Sequence, residues 1–168
     1  MNEEDDRAMA VQLSEAAQAR IAQLIERYPT TRAVMLPALH LATQEFPYLD
    51  DEVCQAVADL LQVPMVDVKG VATFYTMFPT EPQGACEVQI CFNLSCSLKG
   101  ARRLLRHAES RLGIEVGQTT PDGRFTLRGV ECMAACDRAP MLYMNEELHG
   151  NVSEDMLDDL LQRMSGGE

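Results

Sequence analysis

The chain has 168 residues, 46% apolar and 24% charged, with six cysteines, no tryptophan and a formal net charge of -12. That length suits one compact domain or two small ones, and the composition excludes low-complexity, collagen-like and wholly disordered chains. So acidic a balance argues against nucleic acid, because affinity for a phosphate backbone comes from Lys and Arg.

No apolar run approaches the roughly 20 residues that span a bilayer, and the start, Met1-Asn2-Glu3-Glu4-Asp5-Asp6, lacks the basic and apolar segments of a signal peptide. A soluble, cytosolic protein is expected. Six cysteines in a reducing compartment point to metal ligands, catalytic thiols or core residues before a disulfide framework. Charge is segregated: residues 1 to 85 hold 13 acidic and 5 basic side chains, residues 139 to 168 hold 7 and 1, and residues 86 to 138 hold 6 and 8 together with five of the six cysteines. Residues 99 to 107 form the one concentrated basic stretch, a solvated face or a docking site.

Residues 1 to 13 read as a disordered acidic N-terminus. Ser14 is a candidate N-cap for a helix with Ala17, Ile21, Leu24, Ile25 and Tyr28 on one face, ended by Pro29. A second helix is expected from Thr30 or Thr31 to about Phe46, kinked or truly started by Pro37. Asp50 caps a third, 51 to 62, and Pro64 suits the first position of a fourth that runs on through Val71-Ala72-Thr73-Phe74-Tyr75. Four short helices over 14 to 78 make a small bundle. Phe74, Tyr75 and Phe78 suit packing within the protein or a partner-facing patch.

Two prolines and a glycine in 79 to 85 mark a linker. Beyond it, Cys86 to Cys91 alternates as a strand. A helix is expected from about Leu98 to Leu112, with Leu98, Ala101, Leu105, Ala108 and Leu112 inward, Lys99, Arg102, Arg103 and Arg106 outward, and Gly113 as C-cap. Ile114 to Val116 is a candidate short strand, Pro121-Asp122-Gly123 a turn, and Phe125 to Val130 a strand. Met141 to Met144 reads as a strand hairpinned to Leu148, and Ser153 caps a last helix, 154 to 164. The fold class is α+β: a helical bundle, then a thioredoxin-like α/β domain over 86 to 168.

Cys91 and Cys96 flank Phe92-Asn93-Leu94-Ser95, and Cys132 and Cys136 flank Met133-Ala134-Ala135. Each pair is expected in a loop directly after a strand, so that neighbouring strands would bring four thiolates to one edge of the domain. Ligand pairs at this spacing suit structural zinc. They equally suit a 2Fe-2S cluster held by one pair per iron, with small loop residues that let backbone N–H groups approach the sulfides. Cys86 lies five residues before Cys91, but along a strand the two are roughly 16 Å apart at about 3.3 Å per residue, too far for one iron. Cys86 and Cys54 therefore read as non-ligands, Cys54 as a buried thiol on a helix. Cysteines packed in the core without metal are the bland alternative. A thiol-disulfide enzyme would want a Cys-x-x-Cys pair at a helix start, and there is none. His40, His107 and His149 show no pairing that suggests metal or catalysis.

The segments Ile90-Cys91-Phe92-Asn93-Leu94-Ser95-Cys96-Ser97-Leu98-Lys99-Gly100, Glu131-Cys132-Met133-Ala134-Ala135-Cys136 and Ala139-Pro140-Met141 resemble the thioredoxin-like 2Fe-2S ferredoxin family. Gly70-Val71-Ala72-Thr73-Phe74-Tyr75 is similar to that family's helical-domain signature. The resemblance covers roughly 14 to 164 and is nearest to the branch serving bacterial NADH:quinone oxidoreductase, respiratory complex I. It implies one 2Fe-2S cluster on Cys91, Cys96, Cys132 and Cys136, exchanging single electrons with the FMN of a partner subunit that binds NADH. It also implies other peripheral-arm subunits as partners and a cytoplasmic place on the inner membrane's surface. The equivalent subunit of an NAD(P)-linked hydrogenase or formate dehydrogenase is the alternative, and a zinc-stabilised interaction module a more distant one. The chain has no Gly-x-Gly-x-x-Gly after a strand and no phosphate loop, in keeping with FMN and NADH residing on the partner.

Overall fold

A computed structural model describes residues 11–145 and 147–165. The chain divides into two compact units, residues 1–82 and 83–168.

The first unit is helical among its described residues. Helix α1, Glu15–Arg27, starts where the Ser14 hydroxyl accepts from the Ala17 N–H at 3.2 Å. Its carboxylate neighbour Glu45 also accepts from the Ser14 N–H at 2.8 Å and from the Ser14 hydroxyl. A 3-10 turn, Thr31–Val34, leads into α2, Met35–Ala42. The single long helix expected to Phe46 is thus two pieces and stops early. Pro37 lies in the first turn of α2, where a missing N–H is tolerated, so it marks the start of that helix as expected. Asp50 caps α3, Asp51–Leu61, by accepting from the Val53 N–H at 2.9 Å. Pro64 takes the cap position of α4, Met65–Phe74, one residue before the first-turn place expected.

Ile21, Val34, Leu39, Leu49, Val57, Leu61 and Val68 are fully buried and form the core of this unit, joined by Cys54. Residues 1–10 of the acidic stretch lie outside the described residues, whereas Leu13 is buried in that core. Phe78 is buried and Phe74 exposed.

The second unit is a four-stranded sheet with helices. Strand β1, Cys86–Cys91, pairs parallel with β2, Phe125–Val130, in the register Cys86↔Phe125 to Cys91↔Val130. On its other side β1 pairs antiparallel with β3, Leu142–Met144, and β3 with β4, Glu147–His149, giving the order β2-β1-β3-β4. A parallel neighbour requires a crossover, and two helices supply it: α5, Leu94–Leu98, and α6, Ala101–Leu112. The expected helix from Leu98 is therefore broken. Gly100 has φ +97°, a left-handed conformation that ends α5 and opens α6 and that a side chain would resist. Leu98 points out, whereas Ala101, Leu104 and Ala108 are buried and the expected Leu105 and Leu112 are partly buried against the core of Leu104 and Ala108, so the inward face gains Leu104 and loses Leu98. Ile114–Val116 is not a strand; Ile114 simply packs in the core. Helix α7, Glu154–Ser165, closes the chain, with the Ser153 hydroxyl accepting from Met156 N–H at 3.1 Å.

Val88, Ile90, Phe125, Leu127, Leu142 and Met144 from the sheet pack with Leu104, Ala108, Leu157, Leu160 and Leu161 from α6 and α7. Two cross-helix ion pairs and a hydrogen bond support that layer: Arg103–Glu154 at 2.9 Å and Arg111–Asp158 at 2.8 Å, with His107 Nε2 to the Asp158 carboxylate at 2.9 Å.

Candidate metal centre

The parallel pairing of β1 and β2 decides where the cysteines lie. Two parallel strands end at the same side of a sheet, and the Cys91↔Val130 register makes these two end level. Cys91 is the last residue of β1 and not in a loop; Cys96 lies within α5; Cys132 lies two residues beyond β2; and Cys136 opens a 3-10 turn, Cys136–Arg138. Three backbone segments meet at Cys91. Its N–H donates to the Met141 carbonyl at 3.1 Å, the next N–H, of Phe92, donates to Val130 at 3.0 Å, and its thiol donates to the Glu131 carbonyl at 3.5 Å.

The four thiols form an inner and an outer pair. Cys91 and Cys96 are buried, and with Ala101, Ala139 and Met141 they make a small core separate from that under the sheet. Cys132 and Cys136 are exposed. Burial pushes the Cys96 thiol up; a hydrogen bond with Cys91 adds to this, the Met141 backbone opposes it, and the charges of Cys91 and Cys136 raise it further. The Cys132 sulfur accepts from the Ala134 N–H at 3.3 Å within its own loop. Among the described residues, no three His, Cys, Asp or Glu side chains are gathered so as to hold one metal ion.

Several features were not visible in the residue spacing. Asn93 caps α5 by accepting from the Leu94 N–H at 2.6 Å, placing Cys96 on a helix. Ala134 is left-handed, at φ 56°, which turns its N–H back toward Cys132. Ala139-Pro140 is a cis peptide. Asn93 ahead of Leu94 and the Gly100 break were the available sequence signals for the extra helix. Cys54 is buried in the core of the helical unit; in the second unit Cys86 is buried in the sheet core and not in the small core of Cys91 and Cys96.

The sequence profile of the thioredoxin-like [2Fe-2S] ferredoxin family matches residues 21–165. The chain belongs to that family. The ferredoxin-like chain is 46% identical to an NADH-quinone oxidoreductase subunit of the E type from Rhizobium meliloti (strain 1021), over 84% of each protein. It is 36% identical to the NADP-reducing hydrogenase subunit HndA of Solidesulfovibrio fructosivorans, over 84% of this chain and 82% of that one. Among solved structures, NAD+-reducing [NiFe]-hydrogenase in its air-oxidized state superposes on 79% of this chain with a TM-score of 0.69, spans only 23% of its own chain in doing so, and is 22% identical; that likeness is one of fold.

The donors of this ferredoxin-like chain fit the family's cluster. They are four soft thiols, two from each of two segments that leave the level ends of β1 and β2, the number and kind of donor that a [2Fe-2S] cluster takes. The Ala134 N–H aimed at the Cys132 sulfur is the kind of donor that stabilises a thiolate in a cluster site. No described helix is long and apolar enough to cross a membrane.

Proposed function

We propose that Cys91 and Cys96 hold one iron and Cys132 and Cys136 the other of a single [2Fe-2S] cluster, and that the chain is the electron-transfer subunit of an NADH:quinone oxidoreductase. In this reading it exchanges single electrons with the FMN of an NADH-binding partner subunit and sits on the cytoplasmic face of the membrane as part of the peripheral arm. The observation that carries the reading is the level ending of parallel β1 and β2, which sends both cysteine segments from one edge of the sheet.

Bound there, the cluster supplies a one-electron centre whose potential the protein sets through burial and hydrogen bonds. This chain's residues do the rest. The small core of Ala101, Ala139 and Met141 excludes water around the inner thiols, and the backbone of Met141 favours the Cys96 thiolate. The Ala134 N–H does the same for Cys132. The chain offers no general acid or base to the chemistry, since electrons alone are exchanged, and hydride chemistry at NADH belongs to the partner.

A second reading has a specific observation behind it: the likeness to a hydrogenase subunit at 36% identity over most of both chains. Purification of the intact complex through a tag on this chain separates the two. Co-purification of an FMN-bearing NADH-oxidising subunit with quinone reductase activity supports complex I; co-purification of hydrogenase subunits with hydrogen-dependent NAD(P) reduction supports the alternative. Purification with no flavoprotein at all contradicts both.

A further inference from the structure

Gly129 stands in β2 where the backbone does not ask for a glycine. The parallel ladder passes through it without a bulge, Ile90↔Gly129 followed by Cys91↔Val130, and its φ is not positive. A glycine inside a strand marks a bulge or a close approach, and with no bulge the close approach remains. What approaches is Phe92. A Cβ built on Gly129 would lie 3.1 and 3.2 Å from the Cδ1 and Cε1 atoms of that ring, and at an ordinary 3.5 Å from Cγ1 of Val116. Phe125 and Leu127, at alternate positions and so on the same side of the sheet, fill that side with buried side chains of their own. At Gly129 the ring of Phe92 takes the place.

Phe92 is tied to both cysteine segments. It follows Cys91 directly. Its N–H donates to the carbonyl of Val130, two residues ahead of Cys132, at 3.0 Å, and its own carbonyl accepts from the hydroxyl of Ser97, one residue beyond Cys96, at 2.6 Å. These two hydrogen bonds fix where the segments meet but leave them able to turn about Phe92. A planar ring seated on bare strand backbone resists that turning, because any rotation drives it into Gly129 or lifts it away.

We infer that Phe92 is a positioning residue for the metal centre: its ring, seated on Gly129, sets the orientation of the Cys91–Cys96 segment against the segment that carries Cys132 and Cys136. The inference rests on the proposed cluster and deepens it by naming a pair of residues outside the ligand set on which the ligand geometry depends. Phe92 offers the cluster no donor atom. It acts through the thiol before it and through the end of β2, as the groups around a metal's ligands do when they hold those ligands in place. The pair is complementary in size, a large ring over an absent side chain, so each residue should be intolerant of change alone and tolerant of change together.

The test compares three variants of the full chain with the unaltered one: Phe92→Ala, Gly129→Val, and the two together. Gly129→Val is the telling one, because Val suits a strand better than Gly and would stabilise a site with room for it, whereas here it must push the ring aside. Three readouts are taken: release of iron from the loaded chain to a chelator, the EPR g values of the dithionite-reduced cluster, and hydrogen exchange of the Phe92 amide in the metal-free chain. Each single variant is expected to release iron about tenfold faster or more, with shifted g values and faster exchange. In the double variant Val fills the space the ring has left, and all three readouts return toward those of the unaltered chain. Phe92→Leu and Gly129→Ala make the same changes more gently and are read in place of a single variant that fails to load. Unchanged iron release and g values in the loaded single variants overturn the inference. So do effects in the double variant equal to the sum of the two singles, since ring and glycine then do not act through each other. Lower melting temperatures with unaltered g values overturn it as well, because the contact then only packs the unit. An unaltered chain that holds no iron–sulfur cluster is a separate result and defeats the cluster reading itself.

Discussion

Met141→Ala is expected to weaken the second unit sharply, because this one side chain underlies the inner thiols. It is 1% exposed and packs in the small core of Cys91, Cys96, Ala101 and Ala139. Replacement by Ala removes three heavy atoms, for which buried Met sites lose about 2–5 kcal/mol. The neighbours are small or fixed by strand and helix backbone, so they collapse poorly into the space, and the upper half of that range, about 3–4 kcal/mol, is expected. The assay is hydrogen exchange of the β1 amides, which are among the buried ladder of the unit and report its opening. Their exchange should rise by about two to three powers of ten, at 1.36 kcal/mol for each tenfold. Met141→Leu, which keeps volume, should cost less than about 1.5 kcal/mol. An effect below about threefold in Met141→Ala, or equal losses in the two variants, would refute the reasoning that this core is packed by the methionine.

Three further outcomes follow from single contacts. Ser14→Ala should cost about 1 kcal/mol, by removing the cap on the Ala17 N–H, and should speed exchange in the first turn of α1 and little elsewhere. The hydrogen bond from His107, with Arg111 beside it, holds the Asp158 carboxyl below the usual carboxylate range. Its folded pKa is thus lower than the unfolded value of about 3.9, so its contribution is present above that pH and lost as pH falls through the folded value. Asp158→Asn should therefore loosen α7 at neutral pH and remove part of the acid sensitivity of exchange in that helix. Burial, aided chiefly by Asp51, pushes the Cys54 thiol up. A raised thiol stabilises below its unfolded value of about 8.5 and loses that contribution as pH climbs through the folded one. Cys54→Ala should therefore show a smaller alkaline loss in thermal melts of the helical unit.

Much of this architecture was legible because it rests on local rules. Ser14, Asp50 and Ser153 mark helix starts through the chemistry of their side-chain oxygens, and alternation at Cys86–Cys91 and Phe125–Val130 marks strands. Where the reading failed, a local signal was overridden or missed. Apolar spacing joined Leu98 to α6, but a left-handed Gly100 separates them and leaves Leu98 in solvent. Periodicity could not distinguish a leucine facing a core from one facing outward on a five-residue helix. Spacing groups Cys91 with Cys96 and Cys132 with Cys136 as expected ligand pairs, but it could not show that the first two are buried and the last two exposed, since that depends on Met141 and Ala139 arriving from a distant part of the chain. Nor could the sequence show that Arg103 and His107 of the basic stretch are spent on α7, because that pairing joins distant parts of the chain.

The central claim is that four named thiols, and not the two others, hold one [2Fe-2S] cluster. Iron and sulfide content with visible absorption and EPR, before and after dithionite, on anaerobically purified unaltered chain and on Cys86→Ser and Cys132→Ser tests it most directly. The account predicts two irons and two sulfides per chain as the stoichiometry of one such cluster, colour that bleaches on reduction, and close to one spin-half centre per chain. Cys86→Ser should match the unaltered chain and Cys132→Ser should lose or distort the signal. Zinc without iron in the unaltered chain, or loss of the cluster in Cys86→Ser, would contradict it.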